Sequence, residues 1–163
     1  MKVICITGTP GTGKTTISKG LAKKLDFVYI DVNRIISKHK LSEGYDKKRK
    51  TKIIDISKLN STLINEINHY KEIKSMGLVI DSHLSHFLPK KYVNFCIVTR
   101  CGIKTLNKRL IKRKYLKNKI QENLQAEIFD VCLNEARELK HKIIPIDTSK
   151  GFNIDRLAKK IGG

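Results

Sequence analysis

Gly8-Thr9-Pro10-Gly11-Thr12-Gly13-Lys14-Thr15 is the stretch whose reading decides the fold. A glycine, four intervening residues and then Gly-Lys-Thr is the spacing of a phosphate-binding P-loop. The motif sits where such a loop must sit. Before it runs Lys2-Val-Ile-Cys-Ile-Thr7, a short β-branched strand, and after it Ile17, Leu21, Ala22 and Leu25 recur at helical spacing. Phe27 to Ile30 reads as a second strand, which completes a β-α-β unit and, by the right-handed crossover rule, seeds a parallel sheet. Glycines let successive backbone N–H groups curl around a phosphate, and the positive end of the helix points at the same spot. Gly11, Thr12, Gly13, Lys14, Thr15 and Thr16 are therefore assigned to a nucleoside triphosphate, with Lys14 neutralising the β- and γ-phosphates and the Thr15 hydroxyl on Mg²⁺.

Further along the chain, 32–40 predicts a short helix, 42–52 a polar basic connection, and 57–74 a longer helix with Leu59, Leu63, Ile64 and Ile67 on one face. Leu78-Val-Ile-Asp81 and Tyr92 to Thr99 read as buried strands. Helical spacing returns over 103–112 and again, as one long helix, over 118–139. Lys142 to Asp147 makes a fifth strand, and 153–161 a closing helix. Strands alternating with helices predict an α/β three-layer sandwich around a five-stranded, mostly parallel sheet.

Magnesium keeps several waters and needs a carboxylate to hold its shell, so an acid is expected at the end of a strand beside the P-loop. Asp81 meets that requirement. His83, two residues on, points the same way if the chain stays extended, whereas His86 carries a weaker signal. Residues 101–120 hold eight cations and no acid, among them Arg109 and Arg113, four apart and so on one face of a helix. That spacing predicts a clamp over the phosphate chain. Residues 147–151, with Lys150, follow the fifth strand, where related folds place an adenine.

The 163 residues carry 34 Lys plus Arg against 15 Asp plus Glu, a formal charge of +19. Polyanionic partners, nucleotides and RNA, fit that balance, although a Lys-rich and Ile-rich composition also arises from genome bias or heat adaptation. No apolar run is long enough to span a bilayer, so a soluble, cytoplasmic protein is expected. Cys5, Cys96, Cys101 and Cys132 lie scattered in apolar surroundings, which predicts reduced thiols rather than a disulfide framework.

With these residues in place the chain resembles an atypical adenylate kinase family, whose eukaryotic members are nuclear and are also described as small-subunit ribosome assembly factors. The resemblance covers nearly the whole chain. Beyond the P-loop it rests on Gly44-Tyr45-Asp46, Val79-Ile80-Asp81-Ser82-His83, Tyr92 through Arg100, Leu106-Asn-Lys-Arg-Leu110 with Arg113, and Glu122-Asn123 followed by Glu127-Ile128. Its Asp-x-His element, here Asp81 and His83, is the most specific. The resemblance implies phosphoryl transfer from ATP to AMP or a related monophosphate, ATP hydrolysis, and a role in maturing small-subunit ribosomal RNA. It implies one P-loop kinase domain over 1–163 with the nucleoside monophosphate kinase-like fold, a monophosphate-binding segment at about 32–55 and a lid at about 109–119. A small-subunit platform ribosomal protein and rRNA are implied as partners of a monomeric protein. The family tends to carry an arginine in the monophosphate helix where Ser37 stands here, leaving Arg34, Lys38 or Lys40 as substitutes.

Two other readings fit the same P-loop: a nucleotide-switched ribosome assembly ATPase with little kinase turnover, and a small-metabolite kinase. Small GTPases carry a base-reading Asn-Lys-x-Asp sequence that this chain lacks. The larger ATPase modules carry an Asp-Glu pair at the second motif strand, whereas Ser82 follows Asp81.

Overall fold

Side chains alternate along β1 (Lys2–Thr7), and the alternation divides the core in two. Val3 and Cys5 face one side of the sheet, Ile4 and Ile6 the other. Both sides are covered, which is why the neighbouring strand β5 (Gly77–Asp81) is buried at every position and reads as a continuous apolar run. The computed structural model describes residues 1–47 and 51–162.

Five parallel strands lie in the order β2-β5-β1-β6-β7, with β2 at Val28–Asp31, β6 at Phe95–Arg100 and β7 at Ile143–Asp147. Helices α1 (Lys14–Leu25) and α7 (Ile154–Gly162) cover the Ile4 and Ile6 face through Ile17, Leu21, Leu157 and Ile161. Helices α2 (Val32–Lys38), α3 (Ile56–Glu72) and α6 (Val131–Glu138) cover the other through Val32, Ile35, Leu59, Leu63, Leu133 and Ala136. The result is the expected three-layer sandwich of the nucleoside monophosphate kinase fold. From β1 the chain crosses first to one side of the sheet and later to the other, so a crevice opens beyond the carboxyl ends of β1 and β5.

Two segments differ from the sequence reading. The polar connection at 42–52 belongs to a hairpin, β3 (Ser42–Asp46) against β4 (Thr51–Ile54), with Leu41 before it and Ile54 at its end packed on the main core. Residues 48–50 of that segment lie outside the described residues. The helix expected over 118–139 is two, α5 (Lys117–Ile128) and α6, broken at Asp130, whose φ of 51° is left-handed. Aspartate tolerates that conformation without a glycine or proline to signal it. The break is tied down from the sheet: Glu127 accepts from the Cys101 amide at 2.8 Å, and Arg100 pairs with Asp130. All four cysteines are free thiols, and no helix among the described residues is long and apolar enough to cross a membrane.

Candidate active site

Gly8-Thr15 forms a loop held from behind, which leaves its front to a ligand. Gly8 has φ 139°, and a Cβ there would stand 2.4 Å from the Thr99 carbonyl, so only glycine fits against β6. Thr12 is buried behind the loop, where its hydroxyl donates to Thr9 O at 2.7 Å and lies 2.6 Å from Thr99 Oγ1. The Thr148 hydroxyl, from the loop after β7, donates to Thr12 O at 2.7 Å. These contacts set the curl of the backbone before any phosphate binds.

The three helices that start beside β1, β2 and β4 differ in their caps. Asp31 caps α2 by accepting from the Asn33 amide, and Asp55 caps α3 by accepting from Ser57 and Lys58. Helix α1 starts at Gly13 (φ 93°) with no side-chain cap. Its first-turn amides, at Lys14, Thr15 and Thr16, have no helical acceptor and carry the positive end of the helix dipole. An anion is the natural partner of such a terminus.

A cleft of about 690 Å³ opens in front of that terminus, lined by Lys14, Thr15, Asp81, His83, Arg113 and Glu135 among others. Lys14 Nζ donates to the carbonyls of Gly8 at 2.7 Å and Thr9 at 3.1 Å, which fixes the ammonium at the mouth of the loop. Desolvation lowers its pKa to about 8, partly offset by Cys132 and Asp81. Asp81 ends β5, is buried, and accepts from Tyr29 Oη at 2.9 Å. Burial and the adjacent Asp81 charge push the Tyr29 phenol well above its ordinary pKa, so at neutral pH it is a donor. The His83 ring faces the open cleft, yet desolvation by the surrounding walls, with the charges of Lys14 and Lys119, lowers its pKa to about 4. It is a neutral imidazole at physiological pH.

The structure thus gathers Gly11, Gly13, Lys14, Thr15, Asp81, His83 and Arg113 around one cleft. Thr16 is exposed on α1 outside the lining. The two arginines separate. Helix α4 (Ile103–Lys112) ends one residue before Arg113, which is its C-cap, and the chain turns at Lys114 (φ 56°). Arg113 enters the cleft, while Arg109 donates to Thr148 O at 2.8 Å, to Thr148 Oγ1 at 3.0 Å and to Gly11 O at 3.4 Å. Arg109 braces the P-loop against the loop after β7. Lys150 is exposed beside that loop and does not line the cleft. Of the cations near Ser37, Arg34, Lys38 and Lys40 are all exposed, whereas Asp31 and Asn33 reach the cleft.

Sequence reading missed Tyr29, Thr148 and Glu135. Tyr29 carries no local motif; its one signal is its place on a strand paired with β5, in register with Val79 two residues before Asp81.

Mg²⁺ with a nucleotide fits these residues. The uncapped α1 terminus and Lys14 suit a polyphosphate, and the Thr15 hydroxyl with the Asp81 carboxylate supplies hard oxygens of the kind Mg²⁺ takes alongside phosphate.

Fold and site together define the class: a phosphotransferase of the P-loop kinase type. Comparison with known proteins narrows it. The family described as "AAA domain" matches residues 4–130. A protein of Methanocaldococcus jannaschii described as "Putative adenylate kinase" is 43% identical over 146 residues, covering 90% of this chain and 76% of the relative. The "Adenylate kinase isoenzyme 6 homolog" of Caenorhabditis elegans is 35% identical over 135 residues, covering 83% and 72%. The chain belongs to this adenylate kinase family. Two solved structures share the fold: deoxyadenosine kinase from M. mycoides with bound dATP (TM-score 0.60, 16% identity, 100% of both chains) and shikimate kinase from Acinetobacter baumannii with shikimate (TM-score 0.60, 17% identity, 99% of this chain and 90% of that one).

Proposed function

We propose that the chain transfers the γ-phosphoryl group of ATP to AMP or a related nucleoside monophosphate. The observation that carries this reading is one continuous cleft running from Lys14 and the uncapped α1 terminus, past Asp81 and His83, to Asp31 and Asn33 at the start of α2. The first part suits the donor polyphosphate, and the second leaves room for an acceptor in the segment 32–55. The relatives' descriptions as adenylate kinases favour AMP as that acceptor.

In-line phosphoryl transfer asks a protein mainly for positioning and charge stabilisation. Backbone amides of Gly11 to Thr16 and the Lys14 ammonium hold the donor phosphates. Thr15 and Asp81 would hold Mg²⁺, which would supply neutralisation of the charge that develops on the donor phosphates. Arg113, within the cation-rich lid at about 109–119, brings positive charge to the migrating group and helps exclude water. Arg109 acts on the donor side, bracing the P-loop through Gly11 and Thr148.

A second reading rests on His83. A neutral imidazole facing the same cleft can accept a proton from a water near the γ-phosphate, which gives ATP hydrolysis from the same residues. With a net charge of +19, a nucleotide-switched ATPase acting on rRNA, alone or with a small-subunit platform ribosomal protein, is the reading in which hydrolysis is the main event.

The test is ADP formation with ATP and Mg²⁺, alone and with each of AMP, CMP, UMP and GMP, for the wild type and His83→Ala. Stimulation by AMP is the expected result, with the His83 variant losing hydrolysis more than transfer. Slow hydrolysis unchanged by any acceptor would overturn the kinase reading in favour of the ATPase.

A further inference from the structure

His86 is a buried polar side chain that the proposed chemistry does not use. It is 1% exposed, and both ring nitrogens are engaged: Nδ1 lies 2.7 Å from Thr7 Oγ1 and Nε2 lies 2.9 Å from Glu135 Oε2. An ionised carboxylate only accepts, so Nε2 carries the proton and donates to Glu135, and the bare Nδ1 accepts from the Thr7 hydroxyl. The three partners come from three parts of the fold. Thr7 is the last residue of β1 and leads into the P-loop, His86 lies in the short turn after Asp81 and His83, and Glu135 sits on α6 and lines the cleft.

The turn itself does not need this imidazole. Its backbone is already tied to β1 by the Ser82 amide and the Ser85 hydroxyl, both donating to Ile6 O, and to the rest of the fold by His141 Nε2 on His86 O and Asn60 Nδ2 on Phe87 O. What the ring adds is a connection from that turn to α6, the helix on the return side of the cation-rich segment. Thr7 Oγ1 also lies 3.3 Å from the His83 carbonyl, a longer contact than the 2.7 Å bond to Nδ1 that takes its single proton, and it puts this hydroxyl beside the backbone of the residue that faces the cleft. Desolving an imidazole costs free energy that an apolar side chain would not, and a buried polar group with both ends satisfied fixes geometry in a way that apolar packing does not.

We propose that His86 is a positioning residue for phosphoryl transfer, setting the α6 wall of the cleft relative to the P-loop and the Asp81–His83 strand end through Thr7 Oγ1 on Nδ1 and Glu135 Oε2 on Nε2. This rests on the phosphotransferase reading. The ring touches no substrate; it acts through Thr7 and Glu135.

The test compares wild type with His86→Phe, His86→Asn, Thr7→Val and the double variant Thr7→Val/His86→Phe, measuring kcat, KM for AMP and the dissociation constant of ATP·Mg²⁺. Misplacement of reacting groups by an ångström costs up to about a hundredfold, so kcat of His86→Phe falls about 10- to 100-fold while ATP affinity stays within about threefold. Asn places an acceptor where Nδ1 was and recovers part of the loss; the double variant is no worse than His86→Phe, because the two side chains act as one unit. A kcat within twofold of wild type, losses that multiply in the double variant, or an equal loss of ATP affinity would overturn the proposal. Should His86→Phe fail to fold, His86→Asn and Thr7→Val carry the same comparison. If the wild type transfers nothing to AMP, the phosphotransferase reading falls separately. The imidazole nitrogen NMR signals then decide: His86 is expected as the neutral Nε2–H form with His83 signals displaced in Thr7→Val, and an unmoved His83 would overturn the positioning role.

Discussion

Two sides of the cleft are built on different principles. Around the P-loop, geometry is stored in backbone and buried hydroxyls: Gly8 against Thr99, Thr12 against Thr9, Thr148 against Thr12. Along α4 and the cations that follow, it is stored in long charged side chains on an amphipathic helix buried only at Leu106 and Leu110. On the proposed reading, the first region is organised before ligand arrives and the second supplies charge that a ligand can gather. Preorganisation is what a phosphate cradle needs, and reach is what a closing arm needs.

The sharpest way to break that contrast is to remove the cation at the rigid end. Lys14→Ala is expected to lower kcat by about 10²- to 10³-fold, with little change in unfolding temperature. A folded Lys14→Ala variant with kcat within tenfold of wild type would contradict it. Next comes the pair that sequence spacing groups and the structure separates. Arg113→Ala should lower kcat about 10- to 100-fold with modest change in ATP affinity, whereas Arg109→Ala should chiefly weaken ATP binding by loosening Gly11 and Thr148. Equal kinetic profiles for the two variants would show that α4 acts as a single clamp after all.

A pH series probes the two regions together. His86, with its pKa lowered to about 4 by desolvation and then by His141 and His83, protonates more readily unfolded than folded. Its stabilising effect is complete above about pH 6.5 and is lost as pH falls towards 4, with the Glu135 carboxylate on Nε2 opposing part of that loss. His83 shifts the same way, with a smaller effect because its ring faces solvent. Chemical denaturation from pH 7 to 4 should therefore show a steep decline that His86→Phe flattens. ATP affinity should instead weaken above about pH 8, where Lys14 begins to lose its proton. The smallest change is Tyr29→Phe, which removes the Tyr29 hydroxyl from Asp81; a loss of about 1 kcal/mol, seen as a several-fold rise in the Mg²⁺ needed for half-maximal rate, is expected.

Legibility in the sequence follows the same division. The β1–P-loop–α1 unit could be read because its geometry depends on glycine positions and on residues close in the chain, and Asp81 because an acid at the end of an apolar run has few structural alternatives. The arms of the cleft were harder. Arg109 and Arg113 are at helical spacing, yet the helix ends at Lys112, a stop that no glycine or proline announces. Asp130 breaks α5 from α6 through contacts with Arg100 that lie 30 residues away. His86 has partners 79 and 49 residues distant, so a single sequence carries no sign that it joins the β1 end to α6. The hairpin at 42–54 escaped because its residues are polar on a small two-stranded sheet, where alternation is a weak signal.

Phosphorus NMR of the purified protein with equimolar ATP and AMP and excess Mg²⁺ tests the central claim most directly. If the cleft joins a donor site at Lys14 to an acceptor site at Asp31 and Asn33, the AMP and ATP γ-phosphate signals fall together while ADP rises, with inorganic phosphate well behind. Inorganic phosphate growing at the expense of ATP, with AMP untouched, would contradict it.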